Sequence, residues 1–495
     1  MDATLPLLVL ASSLVPGAAI FFVPEDRHGT RTALNIAAAC VKLAFIAIMI
    51  RGVYAGHLYE TRLPFMRGAD LLLRADSFSL LFVSLSAILW LATTVYAVGY
   101  LEGSPHRSRF FGFFSLCVAS TMGIALAGNL ITFFVFYEML TLSTYPLVIH
   151  RGTPEALRAG DVYLRYTVGG GAVLLGGVAL LYALAGTSLE FTEGGSLAPL
   201  VADHRRALVV AFVLLVGGLS VKAALVPVHA WLPTAMVAPA PVSALLHAVA
   251  VVKAGAFGIT RVIFDVYGVR VAHDLGVTEP LAVLAAVTIL YGSVQALAQT
   301  DLKRRLAYST VSQIAYIVLG VAVFGTLSTI GGIVHIVHQG IMKITLFFCA
   351  GNLAAELGIH EVRELRGVGR RMPLTMGAFT IAALGMIGVP PVAGWVTKWY
   401  LGVGAVEAGE RWVLGVLAAS TLLNAAYFLP LVYDAWFAKP EGRFAEQTRT
   451  VEIRLTLLLP TLATAAISLV VGVFAGTVVS PLGWAKLIAT REFKQ

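Results

Sequence analysis

Apolar runs of about 20 residues follow one another along almost the whole chain, separated by short polar gaps. One such run is long enough to cross a bilayer as a helix. Composition agrees, because 58% of the 495 residues are hydrophobic and 13% are charged, whereas soluble domains are about 25% charged. No strand-length alternating segment stands out, so a membrane barrel is not expected. The sequence predicts an all-α integral membrane protein with about 14 transmembrane helices.

The predicted spans divide the chain evenly, and the gaps near 54–76 and 186–206 are too short for a soluble domain. The spans are 4–23, 33–53, 77–99, 110–128, 130–149, 162–185, 207–232, 241–263, 281–298, 306–325, 329–355, 374–402, 412–437 and 455–478.

Prolines interrupt two of these spans, in VKAALVPVHAWLPTAMVAPAPV and in GMIGVPPVAGWVTKWYL. Proline lacks a backbone N–H and should split a helix or end it early. Irregular backbone at membrane depth is tolerated only when it is buried in protein or lines a wet cavity. The two breaks lie about 176 residues apart, which predicts two inverted repeats with broken helices and an ion path at the breaks.

Four ionisable residues lie at costly positions in the apolar runs. Lys222 and Lys398 stand beside the two breaks, Glu138 is in the middle of a span, and Lys253 lies inside another. A lysine at membrane depth costs about 2.5–3.5 kcal/mol, so a neutral residue would be preferred unless the charge has a use. We predict that these four residues translocate protons. Lys42 is placed near a helix end and is expected to snorkel towards water.

Further titratable side chains line up with these four. His247 shares a helix with Lys253, while His335, His338 and Lys343 occupy roughly one face of another helix. We predict them as a proton relay. His229, at a proline turn, either belongs to the relay or satisfies freed carbonyls. The His335-x-x-His338 spacing also suits a metal or haem, but no second matched histidine pair appears, so neither cofactor nor metal is predicted.

Charge distribution predicts topology. The net charge of +8 is spread over connecting loops, so no nucleic-acid partner is expected. Loops after odd-numbered spans hold about twice as many Lys and Arg as those after even spans and should be cytoplasmic, which places both termini on the other side. No signal peptide is predicted. The three cysteines share no metal-binding spacing and are expected to be reduced. A multi-pass protein of a bacterial or archaeal cytoplasmic membrane is expected.

An ordered set of motifs resembles a known family. The segments FFVFYEMLTL, KAALVPVHAWLPTAMVAPAPVSALLHAVAVVKAGAF, DLKRRLAYSTVSQIAYIVLG, HIVHQGIMKITLFFCAG and GVPPVAGWVTKWYL are similar to the antiporter-like membrane subunits of respiratory complex I, Mrp-type cation/proton antiporters and membrane-bound hydrogenases. By this resemblance, Glu138 is the fifth-helix glutamate and Lys253 the eighth-helix lysine. Lys222 and Lys398 are then the lysines of the broken seventh and twelfth helices.

The resemblance implies a division into residues 1–108 (helices 1–3), 109–270 (first antiporter-like repeat), 271–438 (second repeat) and 439–495 (helix 14 and tail). It implies an ion-translocating subunit without its own redox centre, whose partners are other membrane subunits, with Glu138 near a neighbouring one. The cargo would be H⁺ and, in an antiporter, also Na⁺.

Lys398 in its motif and the short chain favour a D-type Mrp subunit. The histidine at position 247, by contrast, resembles a feature of the A-type Mrp subunits and of the largest antiporter-like subunits of complex I. A proton-pumping subunit of complex I or a hydrogenase is the alternative. Two other classes stay open, namely a stand-alone transporter of an organic solute and a redox enzyme that binds haem or quinone.

Overall fold

Helices make up most of the molecule. The computed structural model describes residues 4–66, 69–185, 189–440, 451–452 and 454–493. The first half contains α1 Leu5–Ile20, α2 His28–Tyr54, β1 Tyr59–Met66, β2 Ala69–Ala75, α3 Ser77–Tyr100, α4 Arg107–Ala125, α5 Leu130–Val148, α6 Pro154–Ala185, α7 Val201–Lys222, α8 Trp231–Thr234, α9 Ala240–Ala248 and α10 Val251–Arg261. The second half contains α11 Val269–Asp274, α12 Thr278–Ala298, α13 Leu302–Ala322, α14 Thr326–Leu357, α15 Pro373–Ile387, α16 Gly394–Glu407, α17 Trp412–Trp436, α18 Leu455–Val473 and α19 Pro481–Phe493.

The predicted membrane fold is confirmed, but the count of 14 spans is not. Among the described residues, 11 helical segments are long and apolar enough to cross a membrane, and α1 and α15 are shorter apolar helices. Short polar side chains fix several helix starts. Asp76 caps α3, where it accepts a hydrogen bond from the Ser79 amide at 2.7 Å, and Asn129 caps α5 in the same way, from Thr132 at 2.8 Å.

The first proline-rich segment ends a helix inside the protein. Helix α7 ends at Lys222 rather than running to 232 as predicted, and Ala224 adopts a left-handed conformation with φ of +54°. The Trp231 indole donates to the Val221 carbonyl at 2.7 Å and so satisfies the end of the broken helix. The next predicted span, 241–263, is also divided, because Val249 and Ala250 separate α9 from α10.

The second proline-rich segment divides the predicted span 374–402 into α15 and α16. Gly388 follows α15 with φ of +94°, a left-handed conformation that favours glycine. The Cβ of any other residue there would lie 2.7 Å from the Lys398 side chain. The break therefore makes room for that lysine.

Helix α14 forms the centre of the second half. It is 32 residues long, and its most apolar stretch is entirely buried. It packs against α9, α13, α16 and α18. Side chains on α14 can therefore reach both halves of the molecule.

Two elements at one end of the helices lie outside the predicted pattern. Strands β1 and β2 pair in antiparallel orientation, and the predicted all-α pattern did not include them. Leu72 and Leu73 of β2 are buried, and Arg62 and Arg74 pair with Glu60. Helix α19 packs against α3 and α14, and its Trp484 indole donates to the Ser77 carbonyl.

Candidate functional site

Lys222 lies at the end of α7 with its amine buried against α5. The ammonium donates to the Tyr137 carbonyl and sits 3.3 Å from the centroid of the Tyr137 ring. A cation over an aromatic face is stabilised by about 2 kcal/mol when both are desolvated. The broken helix thus places a lysine amine on an aromatic residue of a neighbouring helix.

Glu138 is the residue after Tyr137, and its carboxylate acts electrostatically on Lys222. The carboxylate lies against Gly171 of α6, where a Cβ would overlap with it. Within the described residues, the Oε1 atom of Glu138 is buried and has no hydrogen-bond partner. No ion pair within 4 Å joins Glu138 to Lys222 there, so the two charges interact without direct contact.

Lys253 connects the first half to α14. Its ammonium donates to the Ile336 carbonyl at 2.6 Å. Gly255, two residues later, packs directly on the backbone of Ala223, next to Lys222. The same short stretch of α10 therefore contacts the broken helix on one side and α14 on the other.

His335 and His338 share one hydroxyl on α16. The Nδ1 atoms of His335 and His338 lie 3.2 and 3.0 Å from the Thr397 Oγ1 atom. Both histidines lie within two residues of Ile336, whose carbonyl accepts the hydrogen bond from Lys253. Thr397 precedes Lys398 in the chain, so one threonine links the histidines to the second broken helix.

Lys398 has partners at the end of α15 and on α17. Its ammonium donates to the Ile387 carbonyl at 2.6 Å and to the Thr421 hydroxyl at 2.7 Å. The amine also lies 5.8 Å from the Tyr316 ring centroid. A cleft of about 510 Å³ opens beside it, lined by Trp395 and Trp399 among others. Lys398 is thus a half-buried residue whose side chain borders a cavity.

Lys343 is hydrogen-bonded to a separate series of hydroxyl groups, which we call the side branch. Its ammonium donates to Ser309 Oγ at 2.7 Å, and the Ser309 and Tyr427 hydroxyl oxygens are hydrogen-bonded to each other at 2.8 Å. Tyr427 also donates to Asn424 of α17, the helix that carries Thr421. The branch therefore leads from Lys343 towards the partners of Lys398.

The remaining two histidines make no comparable contacts. Both ring nitrogens of His247 are buried and lack a hydrogen-bond partner among the described residues, and the ring stacks on Phe347 with centroids 4.5 Å apart. His229 packs edge-on against Tyr291, and its Nδ1 atom is likewise without a partner in that part of the chain. Among the described residues, His229 contacts none of the other candidate site residues.

The sequence did not predict which groups accept hydrogen bonds from the lysine amines. Lys222 and Lys253 bond to backbone carbonyls, for which a sequence holds no local signal. Hydroxyls at Ser309, Thr397 and Thr421 could have been found, because each lies in a predicted span at a position that a purely apolar helix would not require.

Metal coordination receives no support from the described residues, in which no group of three or more His, Cys, Asp or Glu side chains could hold an ion.

Comparison with known proteins agrees on one family. A family model described as "NADH:quinone oxidoreductase/Mrp antiporter, TM" matches residues 127–424. The chain is 35% identical to the N subunit of the NADH-quinone oxidoreductase of Desulforudis audaxviator (strain MP104C), over 97% of this chain and 98% of that protein. It is 27% identical to the D subunit of the Na(+)/H(+) antiporter of Bacillus subtilis (strain 168), over 90% and 89% of the two chains.

A solved structure has the same fold. The chain superposes on one chain of the Mrp complex from Dietzia sp. DQ12-45-1b with a TM-score of 0.85, 24% identity and coverage of 100% and 98% of the two chains. Because the oxidoreductase relative has a higher identity than the D-type antiporter relative, the preference for a D-type protein is not confirmed.

Proposed function

Because the chain belongs to the NADH:quinone oxidoreductase/Mrp antiporter transmembrane family, and is an antiporter-like membrane subunit of the Mrp or complex I type, we propose that it translocates protons. The groups that carry them are Glu138, Lys222, Lys253 and Lys398, with His335, His338 and Lys343 as relays. The chain does this as a subunit of a multisubunit complex and without a redox centre of its own.

One observation carries this proposal, namely a series of contacts that leads from α5 to α17. Lys222 donates a hydrogen bond to the Tyr137 carbonyl, and Lys253 donates one to the Ile336 carbonyl. Both histidines of α14 are hydrogen-bonded to the Thr397 hydroxyl, and Lys398 donates to the Thr421 hydroxyl. Water molecules would have to complete the proton path between these contacts. Amines and imidazoles that accept and release protons at membrane depth are typical of proton relays.

Glu138 supplies the control in this proposal. When its carboxylate is close to Lys222, the amine keeps its proton, and when a charge on a neighbouring subunit attracts Glu138, the amine releases it. Moving one charge against about 200 mV costs about 4.6 kcal/mol. Breaking and forming one ion pair in a low-dielectric interior can supply this energy.

The energy source belongs to the partner subunits. In one version the complex exchanges Na⁺ for H⁺, and in the other a redox reaction drives proton pumping. The higher identity to the oxidoreductase relative favours the redox version. Both versions use the same residues of this chain.

The test is proton flux through the native complex, purified by a tag on this chain and reconstituted in liposomes that contain a pH-sensitive dye. Glu138→Ala and Lys222→Ala should each abolish coupled proton transport while the complex still assembles. Arg158→Ala, which removes an exposed side chain, is the control and should transport normally. Near-normal flux in both of the first two variants would contradict the proposal.

A further inference from the structure

Lys42 is a buried lysine that the proposed proton path does not use. It lies in the middle of α2 and is fully buried, so the expectation that it snorkels towards water was wrong. Its ammonium donates to Ser13 of α1 and lies 4.1 Å from the ring centroid of Trp90 on α3. The aromatic face is similar to that of Tyr137 beside Lys222, and the serine hydroxyl is similar to that of Ser309 beside Lys343.

The face of α3 that meets Lys42 has unsatisfied polar groups. Ser86, Trp90 and Thr94 follow at intervals of four residues and therefore lie on one face of the helix. All three side chains are fully buried, and Ser86 Oγ, Trp90 Nε1 and Thr94 Oγ1 have no hydrogen-bond partner in the described part of the chain. Buried polar groups without protein partners are usually satisfied by water, which needs two to four of them.

A cavity opens at one end of this face. It measures about 400 Å³, and its lining includes His28, Arg31 and Glu102. Val98 of α3, one helical turn beyond Thr94, also lines it. On α2, Asn35 lies between Arg31 and Lys42 and accepts a hydrogen bond from Ser115 at 3.1 Å. Polar side chains from two helices thus lead from the cavity to Lys42.

At its other end the face approaches α14. Leu85, next to Ser86, packs against Gly340. The adjacent Gln339 has a buried Oε1 atom without a partner among the described residues, and its Nε2 atom donates to the His247 carbonyl at 3.5 Å. His247 itself has two unpartnered ring nitrogens there.

We infer that a hydrated side passage runs from the cavity past Thr94, Lys42 and Ser86 to Gln339 and His247, with Lys42 as its proton-carrying group. Gln339 directly follows His338, so the passage is a second proton entry into the path proposed above and rests on the proposed function. An apolar side chain at position 42 would fill the space without the cost of burying an amine, whereas an amine in a water passage can exchange protons with the cavity.

The presence of water is tested by cysteine labelling in the complete complex, in a background in which Cys40, Cys117 and Cys349 are replaced. Thr94→Cys should react with a membrane-impermeant methanethiosulfonate reagent added from the side on which His28 and Glu102 lie. Ser293→Cys is the control and should stay unlabelled, because the Ser293 hydroxyl is buried and bonded to Ser312 at 2.9 Å.

The role of the amine is tested by chemical rescue. Lys42→Cys should lower proton flux at least about twofold, and alkylation with 2-bromoethylamine, which restores an amine of lysine length, should recover it. Alkylation with iodoacetamide should not. An unreactive Thr94→Cys, or wild-type flux in Lys42→Cys, would overturn the inference. Labelling does not depend on transport, so its failure is distinct from failure of the Lys222 experiment.

Discussion

At the scale of single residues, the amines are stabilised without ion pairs. Lys253, Lys343 and Lys398 have no paired carboxylate in the described part of the chain. Each instead donates to a carbonyl or hydroxyl, and such bonds to a charged group contribute about 1.5–3 kcal/mol. This is comparable with the insertion cost of about 2.5–3.5 kcal/mol. These hydrogen bonds thereby offset much of the cost of burying each amine.

The space for Glu138 depends on a missing side chain. Gly171→Ala would place a methyl group on the carboxylate and displace it from its position near Lys222. We expect proton flux in the reconstituted complex to fall about tenfold, equivalent to about 1.4 kcal/mol. Gly176→Ala on the same helix is the matched control, since nothing lies within 4 Å of the added atom. Equal flux in the two variants would show that the position of Glu138 is unimportant.

The Thr397 hydroxyl should be needed for transfer from α14 to Lys398. Thr397→Val leaves the two histidines without their shared partner, and a lost hydrogen bond in a buried site costs about 1–3 kcal/mol. Flux should fall about tenfold, whereas Thr397→Ser should keep most of it. As a control, Thr260→Val removes a buried hydroxyl that donates to the Ala256 carbonyl of its own helix. If Thr397→Val matched this control, the histidines would not relay protons through Thr397.

At the scale of elements, prolines made the two main breaks predictable. The break between α9 and α10 was not, because Val249 and Ala250 carry no backbone signal of their own, and the tertiary contacts of this stretch override helix propensity. Hairpin β1–β2 was missed because the run LLL in β2 faces buried surroundings and does not alternate with polar residues. Local sequence thus predicts breaks that proline causes and misses those that packing causes.

The packing of helix α19 against α3 and α14 should become weaker at high pH. Burial of Glu492 and the charge of Asp265 raise its pKa from 4.5 to about 9, against a lowering by the hydrogen bond from the Gly194 amide. The docked helix therefore holds a proton that a released helix would lose above pH 4.5. Docking is strongest below pH 4.5 and weakens as the pH rises towards about 9.

Hydrogen exchange of α19 amides, corrected for the intrinsic pH dependence of exchange, measures this effect. Exchange should become faster with rising pH in the native chain by roughly tenfold or more. Glu492→Gln carries no titratable proton and should remove the dependence. A native chain in which corrected exchange is constant between about pH 5 and about pH 9 would contradict the expected linkage.

At the scale of the whole molecule, the two halves differ in the groups that surround the lysine of the broken helix. Among the residues that the structure describes, the carboxylate of Glu138 acts on the lysine of the first broken helix, whereas Lys398 of the second has hydroxyl and carbonyl partners and borders a cleft. The sequence indicated this asymmetry, because the second half has no acidic residue that matches Glu138. It could not indicate how the halves are joined, since the contact from Lys253 to Ile336 depends on the packing of α10 on α14.

The central claim is that one proton path crosses both halves through Lys253. Its most direct test is proton flux through the reconstituted complex with Lys253→Met, which keeps the length of the side chain but removes its charge. Our account predicts flux at the background level, together with normal assembly of the subunits. Flux close to that of the native complex would show that protons pass through each half separately and would contradict the account.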